Sequence, residues 1–292
     1  MMLRFKKVYI EITNGCNLSC SFCKASARPI RQMTPAEFEY VLAAIKPYTD
    51  FVYLHVLGEP LTHPSLGFFL DACGYGGIHA SITTNATLLG RRKSELSHKP
   101  ALRQMNYSLH GLLESDYDTE HTIEVIADWA REEGRDIYHC LRLWNLESGQ
   151  MERNLMIMEI LRNAFKDYAD GQWPSIDRIT VGNGVKIAPN VFLQQQRRFV
   201  WPSTEGEQVF MAGRCGGLQH DVGILSDGRV VPCCLDGEGV LTLGNIFNES
   251  MADILSNPLA KAIRKGFDQG HVVEPFCRTC GFAGHLFGKK EA

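Results

Sequence analysis

The sequence predicts an α/β fold: a partial (β/α)6 TIM-like barrel over residues 1–187, a linker or flap over 188–214, and a small C-terminal domain of β-hairpin and short helix over 215–292. Three observations carry this reading. From Val8 to about Lys186, short β-branched runs alternate with stretches of helical apolar spacing, the pattern of strand–helix units around a parallel sheet. The rhythm stops over 188–214, where Pro189, the Gln194–Gln196 run, Arg197, Arg198, Pro202 and Gly206 replace it. Beyond Cys215 come a tight hairpin and a cysteine-rich tail, too little apolar chain to hold a core without a metal staple.

Taken in order, Val8–Thr13 is an apolar, β-branched run of strand length. Thr34-Pro35-Ala36-Glu37 is a capping box with proline at the first helical position. Phe38, Val41, Leu42 and Ile45 then form one apolar stripe. Phe51–Leu57 reads as the second strand and Ser65–Cys73 as the second helix, closed by Gly74, Gly76 and Gly77. Ile78–Thr84 is the third strand and Gln104–His110 the fourth. Ile123, Ile126, Ala127 and Ala130 mark a helix that stops at Gly134. Ile137–Trp144, the helix Met151–Phe165 and Ile179–Ile187 complete six units, with a site expected at the carboxyl ends of the strands. In the tail, Gly223–Ser226 and Arg229–Val231 flank Asp227-Gly228, which predicts a hairpin with a type I′ turn, and a short helix follows near Met251–Leu255.

Composition bounds the function classes. The 292 residues are 45% apolar and 22% charged, enough for a full core and unlike a disordered or fibrous chain. Lys+Arg number 30 against 33 Asp+Glu, a net charge of -3, so no nucleic-acid partner is expected. No apolar run approaches the roughly 18 residues of a membrane helix. Met1 leads straight to Arg4, Lys6, Lys7 and Glu11 rather than to a signal peptide, so a cytoplasmic protein without a membrane partner is expected. The first strand begins at Val8, so no N-terminal peptide-recognition domain is expected. Ten cysteines, in a reducing compartment, serve metal or chemistry more often than disulfides.

Cys16, Cys20 and Cys23 share the loop after the first strand. Thiolates prefer iron–sulfur centres or zinc to hard cations. Three thiolates on a four-iron cluster leave one iron open to a ligand; a structural zinc would need a fourth, remote residue. The C-x3-C-x2-C spacing, with Phe22 before the last cysteine, resembles the radical S-adenosylmethionine (SAM) superfamily. The resemblance implies a 4Fe–4S cluster on these three cysteines, with the open iron chelated by SAM. It further implies reductive cleavage of SAM to a 5′-deoxyadenosyl radical that abstracts a substrate hydrogen, and a flavodoxin- or ferredoxin-type reductant.

Further positions extend the resemblance. Leu57-Gly58-Glu59-Pro60 looks like the family's Gly-Gly-Glu-Pro segment, so Gly58 and Glu59 inherit a place at the SAM amino group, although Leu57 replaces the first glycine. Thr84 and Asn85 stand where relatives read Thr-Asn-Gly and face SAM, with Ala86 in place of glycine. Ser108-Leu109-His110-Gly111 resembles Ser-Leu-Asp-Gly, which gives Ser108 the SAM carboxylate and puts His110, in place of Asp, near the substrate. Phe22 would pack near the adenine. Arg142, in a largely apolar strand, calls for an anionic partner, SAM carboxylate or substrate, and Asn145 lies beside it.

In the tail, Cys215, Gly228 and Cys233, followed by Cys277 and Cys280, resemble the SPASM/Twitch auxiliary-cluster domains that follow radical SAM barrels. The resemblance implies a second 4Fe–4S cluster, fully ligated by Cys215, Cys233, Cys277 and Cys280. Gly281–Ala292 holds no further cysteine, so the shortened, one-cluster form fits better. Cys234 competes with Cys233 as ligand, and a zinc ribbon is the alternative for the set. Cys73 and Cys140 read as small buried apolar residues. The function implied is a radical SAM oxidoreductase that uses the auxiliary cluster as electron acceptor, acts on a small molecule or short peptide, and has His110, Arg142 and Glu147 as candidate substrate contacts. A maturase of a ribosomally made peptide and a non-catalytic iron–sulfur or zinc redox protein are the alternatives.

Overall fold

The computed structural model describes residues 3–133, 136–146, 148–180, 182 and 184–283. Its strands are β1 (Lys7–Ile10), β2 (Phe51–Tyr53), β3 (His79–Thr84), β4 (Leu102–Ser108), β5 (Tyr138–Leu143), β6 (Val185–Ala188), β7 (Val191–Gln195), β8 (Asp221–Ile224), β9 (Arg229–Val231) and β10 (Gly244–Asn245). Its helices are α1 (Pro35–Ile45), α2 (Leu66–Tyr75), α3 (Leu89–Leu96), α4 (Thr119–Glu132), α5 (Met151–Phe165), α6 (Met251–Ser256), α7 (Pro258–Asp268) and α8 (Pro275–Arg278). They fall into two compact units. One takes in the chain up to Gly15, Lys24–Gly58 and everything from Phe199; the other takes in Cys16–Cys23 and Glu59–Arg198.

In the first unit the strand order is β10-β9-β8-β1-β2. β1 is the middle strand, parallel to β2 on one side and to β8 on the other, so Val8 faces both Val52 and Val222. Val8 and Ile10 are completely buried, as are Phe38, Val41 and Ile45 on the apolar stripe of α1. The capping box forms as the sequence predicts: Glu37 N–H donates to the Thr34 hydroxyl, and the Glu37 carboxylate accepts from Thr34 N–H at 2.8 Å. Just past β1, the fully buried Glu11 accepts both contacts of Arg28, at 2.6 and 2.8 Å, and the backbone and hydroxyl of Ser226 at 3.0 and 2.9 Å. One carboxylate thus ties the segment after the cysteine loop to the tip of the C-terminal hairpin.

That hairpin exists, with β8 antiparallel to β9, but its turn is not type I′. Gly228 N–H donates to the Leu225 carbonyl at 2.9 Å, and Gly228 alone takes the left-handed conformation, at φ +85°. Asp227 keeps negative φ, so the connection is a three-residue loop with a glycine bulge.

In the second unit the order is β3-β4-β5-β7-β6, with β3, β4, β5 and β7 mutually parallel and β6 antiparallel to β7. The sixth strand of the parallel set is therefore Val191–Gln195, inside the segment expected to be linker, and the stretch expected as that strand supplies only the edge strand Val185–Ala188. Pro189 and Asn190 do not break a strand; they turn between two, with Asn190 at φ +55°. Gln195 is buried because its amide donates to the carbonyls of Ser175 and Ile176 at 3.1 and 2.8 Å, so a polar side chain occupies a core position. α3 lies outside the expected elements, since only Leu89 and Leu96 of its eight residues are buried. β1 and β2 end at Ile10 and Tyr53 rather than Thr13 and Leu57, because the backbone beyond them turns to other partners, such as Ile12 O with Met33 N–H and Leu57 N–H with Glu11. Among the described residues no helix is long and apolar enough to cross a membrane.

Candidate active site

Strand alternation in the second unit collects polar side chains on one face of its sheet. In β4, Gln104, Asn106 and Ser108 alternate with Met105 and Tyr107. Register sets Asn106 beside Thr83 and Cys140, Ser108 beside Arg142, and Arg142 beside Gln194. Asn106 Nδ2 donates to Thr83 Oγ1 at 3.3 Å, and Asn106 Oδ1 accepts from Gln104 Nε2 at 2.7 Å and Arg142 Nη2 at 2.8 Å. Arg142 Nε donates to Gln194 Oε1 at 3.2 Å, and the guanidinium lies 4.8 Å from the Trp144 ring. These amide contacts orient the guanidinium. Buried Cys140 is more than apolar filling, since Gln104 donates to its sulfur at 3.4 Å.

The turn after β4 carries the next layer. Ser108 precedes it and makes no capping bond. His110 Nδ1 lies 3.2 Å from the Arg142 carbonyl, and its ring packs 4.7 Å from Phe22. Burial drives its pKa down to about 4, so the imidazole is neutral near pH 7. Asn145 is buried; its Oδ1 has no hydrogen-bond partner among the described residues, while its carbonyl accepts from Asn154 at 3.3 Å. Glu147 lies outside the described residues.

The three thiols meet this framework from the loop 16–23. Asn85 Nδ2 donates to Asn17 Oδ1 at 3.0 Å and reaches Cys16 Sγ at 3.9 Å. Gly111 sits under Cys20, where a Cβ would stand 3.2 Å from its sulfur and 3.6 Å from Phe22. Burial pushes all three thiols up, Cys20 to about 11, and Cys23 and Cys16 add to the effect on Cys20. Thiols that raise one another when metal-free are those that a shared cationic centre converts to thiolates. Among the described residues no three Cys, His or acidic side chains meet closely enough to chelate a single ion. The donor set and the glycine-floored space fit an iron–sulfur cluster.

Glu59 is buried beside them. Its carboxylate accepts from Thr84 Oγ1 at 2.7 Å, Asn85 N–H at 2.7 Å and Leu61 N–H at 2.9 Å. Burial nevertheless lifts its pKa to about 7, the position of a carboxylate that an ammonium group would complete. Gly58, in the first unit, takes φ +77°, and a Cβ there would strike the Thr13 carbonyl. Ala86 holds the same left-handed conformation at φ 66°, where the family pattern has glycine.

The C-terminal thiols form a group of their own within the first unit. Burial raises Cys233 most, followed by the charges of Cys234, Cys215, Cys277 and Cys280. Cys277 and Cys280 bracket one turn, with Cys280 N–H donating to the Cys277 carbonyl at 3.3 Å. Gly217 and Ala283 N–H groups donate to the sulfurs of Cys215 and Cys280 at 3.5 and 3.4 Å, contacts that suit thiolates. Cys234 instead bonds the Tyr9 hydroxyl and packs with Tyr53, Trp201 and an apolar group that includes Val56 and Leu225.

Residues 10–188, more than half of the chain, match the family model described as the radical SAM superfamily. The chain belongs to the radical SAM superfamily. It is a SAM-binding radical SAM enzyme, and residues 215–281 match the SPASM model, an iron–sulfur cluster-binding domain. Solved radical SAM structures share the partial-barrel fold. BtrN in complex with AdoMet and 2-DOIA aligns with a TM-score of 0.55 at 17% identity, over 96% of this chain and 94% of that one. Streptococcus suis SuiB bound to S-adenosylmethionine aligns with a TM-score of 0.63 at 18% identity, over 96% and 72%. The anSMEcpe structure with bound AdoMet aligns with 0.63 at 15%, over 98% and 88%. No curated protein matches the sequence.

Sequence reasoning did not single out Asn106, Gln194, Glu114 or, as a site residue, Arg198. The alternation Gln104, Asn106, Ser108 was a readable signal of a polar strand face. Glu114 and Arg198 gave none, because their partners Ser21 and Phe22 are distant in sequence.

Proposed function

We propose that this radical SAM enzyme is an oxidoreductase, with residues 1–187 and the strand Val191–Gln195 as catalytic barrel, the rest of 188–214 as the connection and 215–292 as auxiliary domain. When bound, the cluster and SAM supply one-electron reductive cleavage and a radical that abstracts a substrate hydrogen. The observation that carries the reading is the pair of unequal thiol sets. Cys16, Cys20 and Cys23 stand beside a buried Glu59 of raised pKa, and Cys215, Cys233, Cys277 and Cys280 stand together. The first set is short of one ligand, which leaves an iron for SAM to chelate, and the second is complete, which suits a cluster that only exchanges electrons.

In this reading the chain's own residues bind and orient. Glu59, held by Thr84 and Asn85, faces the SAM amino group with Gly58; Ser108 offers a hydroxyl to the SAM carboxylate, and the unpaired Asn145 Oδ1 offers an acceptor to an N–H or O–H group of SAM. Phe22 offers a ring to the adenine. Arg142, fixed by Asn106 and Gln194, presents its charge to an anionic group of SAM or substrate. His110, neutral at pH 7, presents an uncharged imidazole to the substrate. Glu147 remains a candidate substrate contact. Cys233 is the auxiliary ligand and Cys234 its neighbour, as the Tyr9 contact of Cys234 supports. A flavodoxin- or ferredoxin-type protein supplies the first electron.

BtrN, whose complex holds 2-DOIA, matches over 94% of its own length, which favours a small-molecule substrate. A peptide maturase is the second reading, favoured by SuiB bound to precursor peptide SuiA and by anSMEcpe with the Kp18Cys peptide. After anaerobic reconstitution the chain is expected to carry about eight iron and to form 5′-deoxyadenosine under reductant. Cys16→Ala, Cys20→Ala and Cys23→Ala are each expected to abolish it. Continued SAM cleavage by any of the three would sink the assignment. Screening small molecules against short peptides by mass spectrometry separates the two substrate readings.

A further inference from the structure

The loop that presents the three cysteines has no regular secondary structure, and Cys16 and Cys23 are exposed, so something else must hold it. One contact does so at its centre. Ser21 lies next to Cys20, and both its donors run to one carboxylate: the backbone N–H to Glu114 Oε2 at 2.7 Å and the hydroxyl to Glu114 Oε1 at 3.0 Å. Glu114 is the last residue of the 3-10 turn Leu109–Glu114, which is anchored by the buried Leu109, Gly111 and Leu112. The same turn brings Gly111 under Cys20 and His110 against Phe22. Arg198 completes the arrangement, 5.1 Å from the Phe22 ring and 3.9 Å from the Glu114 carboxylate. A bidentate charge-assisted grip from a core-anchored turn onto an otherwise irregular loop is a fixed point.

We propose that Glu114 is a positioning residue for the cysteine loop, holding Ser21 so that Cys20 is placed before the cluster arrives, and that its negative charge keeps the potential of the bound cluster low. The second role follows from the first. A carboxylate fixed one residue from a ligand favours the more oxidised cluster, and net charge and hydrogen bonding set iron–sulfur potentials. The proposal rests on Cys16, Cys20 and Cys23 being cluster ligands, but its first role can be measured without metal.

Three full-length variants test it: Glu114→Ala, Glu114→Gln and Ser21→Ala. In the metal-free chain, Glu114→Ala is expected to speed amide exchange across residues 16–23 on the order of tenfold or more, the loss due to a charge-assisted hydrogen bond, with exchange in β4 and β5 unchanged. Should Glu114→Ala fail to fold, the same comparison is read in Ser21→Ala, which removes only the hydroxyl bond. In the reconstituted enzyme, Glu114→Gln is expected to move the potential of the N-terminal cluster positive and slow SAM cleavage while auxiliary iron is retained. Ser21→Ala, which keeps the charge, is expected to leave the potential in place. Unchanged exchange over 16–23 overturns the positioning role, and an unchanged potential in Glu114→Gln overturns the electrostatic one. Failure of the underlying cluster reading looks different, because iron would then survive loss of the three cysteines while the exchange result stood.

Discussion

Two left-handed residues on either side of the Glu59 loop make a reciprocal pair of tests. Gly58 sits at φ +77°, and a Cβ there would strike the Thr13 and Asn14 backbone, which cannot yield as a side chain could. Gly58→Ala is expected to cost about 2 kcal/mol or more in urea unfolding; an unchanged midpoint would mean that the loop relaxes freely. Ala86 takes φ 66° with the side chain a glycine would spare it, so Ala86→Gly is expected to stabilise by about 1 kcal/mol. The acid side of the stability curve is shared by His110 and His139, the latter buried against Tyr107 with a 2.8 Å bond to its hydroxyl. The folded pKa of His139 is about 4 against 6.5 for the free side chain. Below pH 6.5 the unfolded chain takes up a proton that the folded one refuses, so stability is full above 6.5 and is lost as pH falls toward 4, by on the order of 3 kcal/mol. His139→Gln is expected to remove its share of that slope. Glu59 acts in the opposite direction: its folded pKa of about 7 stands above 4.5, so the SAM-free protein loses stability as pH rises through that window.

Most elements with their own local signals were legible, the Asn257-capped α7 being an exception, and those defined by a neighbour were not. α5 spans Met151–Phe165, the residues its apolar spacing marks, and α1 carries the full capping box. β7 was hidden because Pro189 and three glutamines resemble a loop when read singly. In place, Val191, Leu193 and Gln195 are buried beside β5. Amide exchange over Val191–Gln195 is accordingly expected to be as slow as over β5, and fast exchange there would return the segment to the status of a flap. α3 was hidden for the converse reason, since a helix with two buried leucines has almost no stripe to read. The site divides in the same way. The cysteines, Glu59 and Ser108 are contiguous motifs, whereas Asn106, Gln194 and Glu114 gain their roles only from register and from the turn after β4.

On the scale of the whole chain, the central strand of the first unit is sealed from far away: Lys7 pairs Asp221 and Ile10 pairs Ile224. Such non-local parallel pairing makes folding slow and leaves an edge exposed until the chain's last third arrives. A chain truncated after residue 214 lacks β8 and is expected to aggregate; a monomeric, folded product by size exclusion would show that β1 manages without it. The sequence by itself determined the chemistry class, because three closely spaced thiols, Gly58-Glu59-Pro60 and a second cysteine set each carry their meaning locally. It determined α1, α4 and α5 for the same reason, while α7, with Ala260, Ile263 and Phe267 buried on one stripe, went unread. Only the tertiary structure decided that Val191–Gln195 joins the parallel sheet, that the C-terminal hairpin pairs with β1, and that Cys234 packs against the group of Tyr9 and Val56. Those outcomes depend on which backbone groups find partners across long loops, and no window of neighbouring residues contains that information.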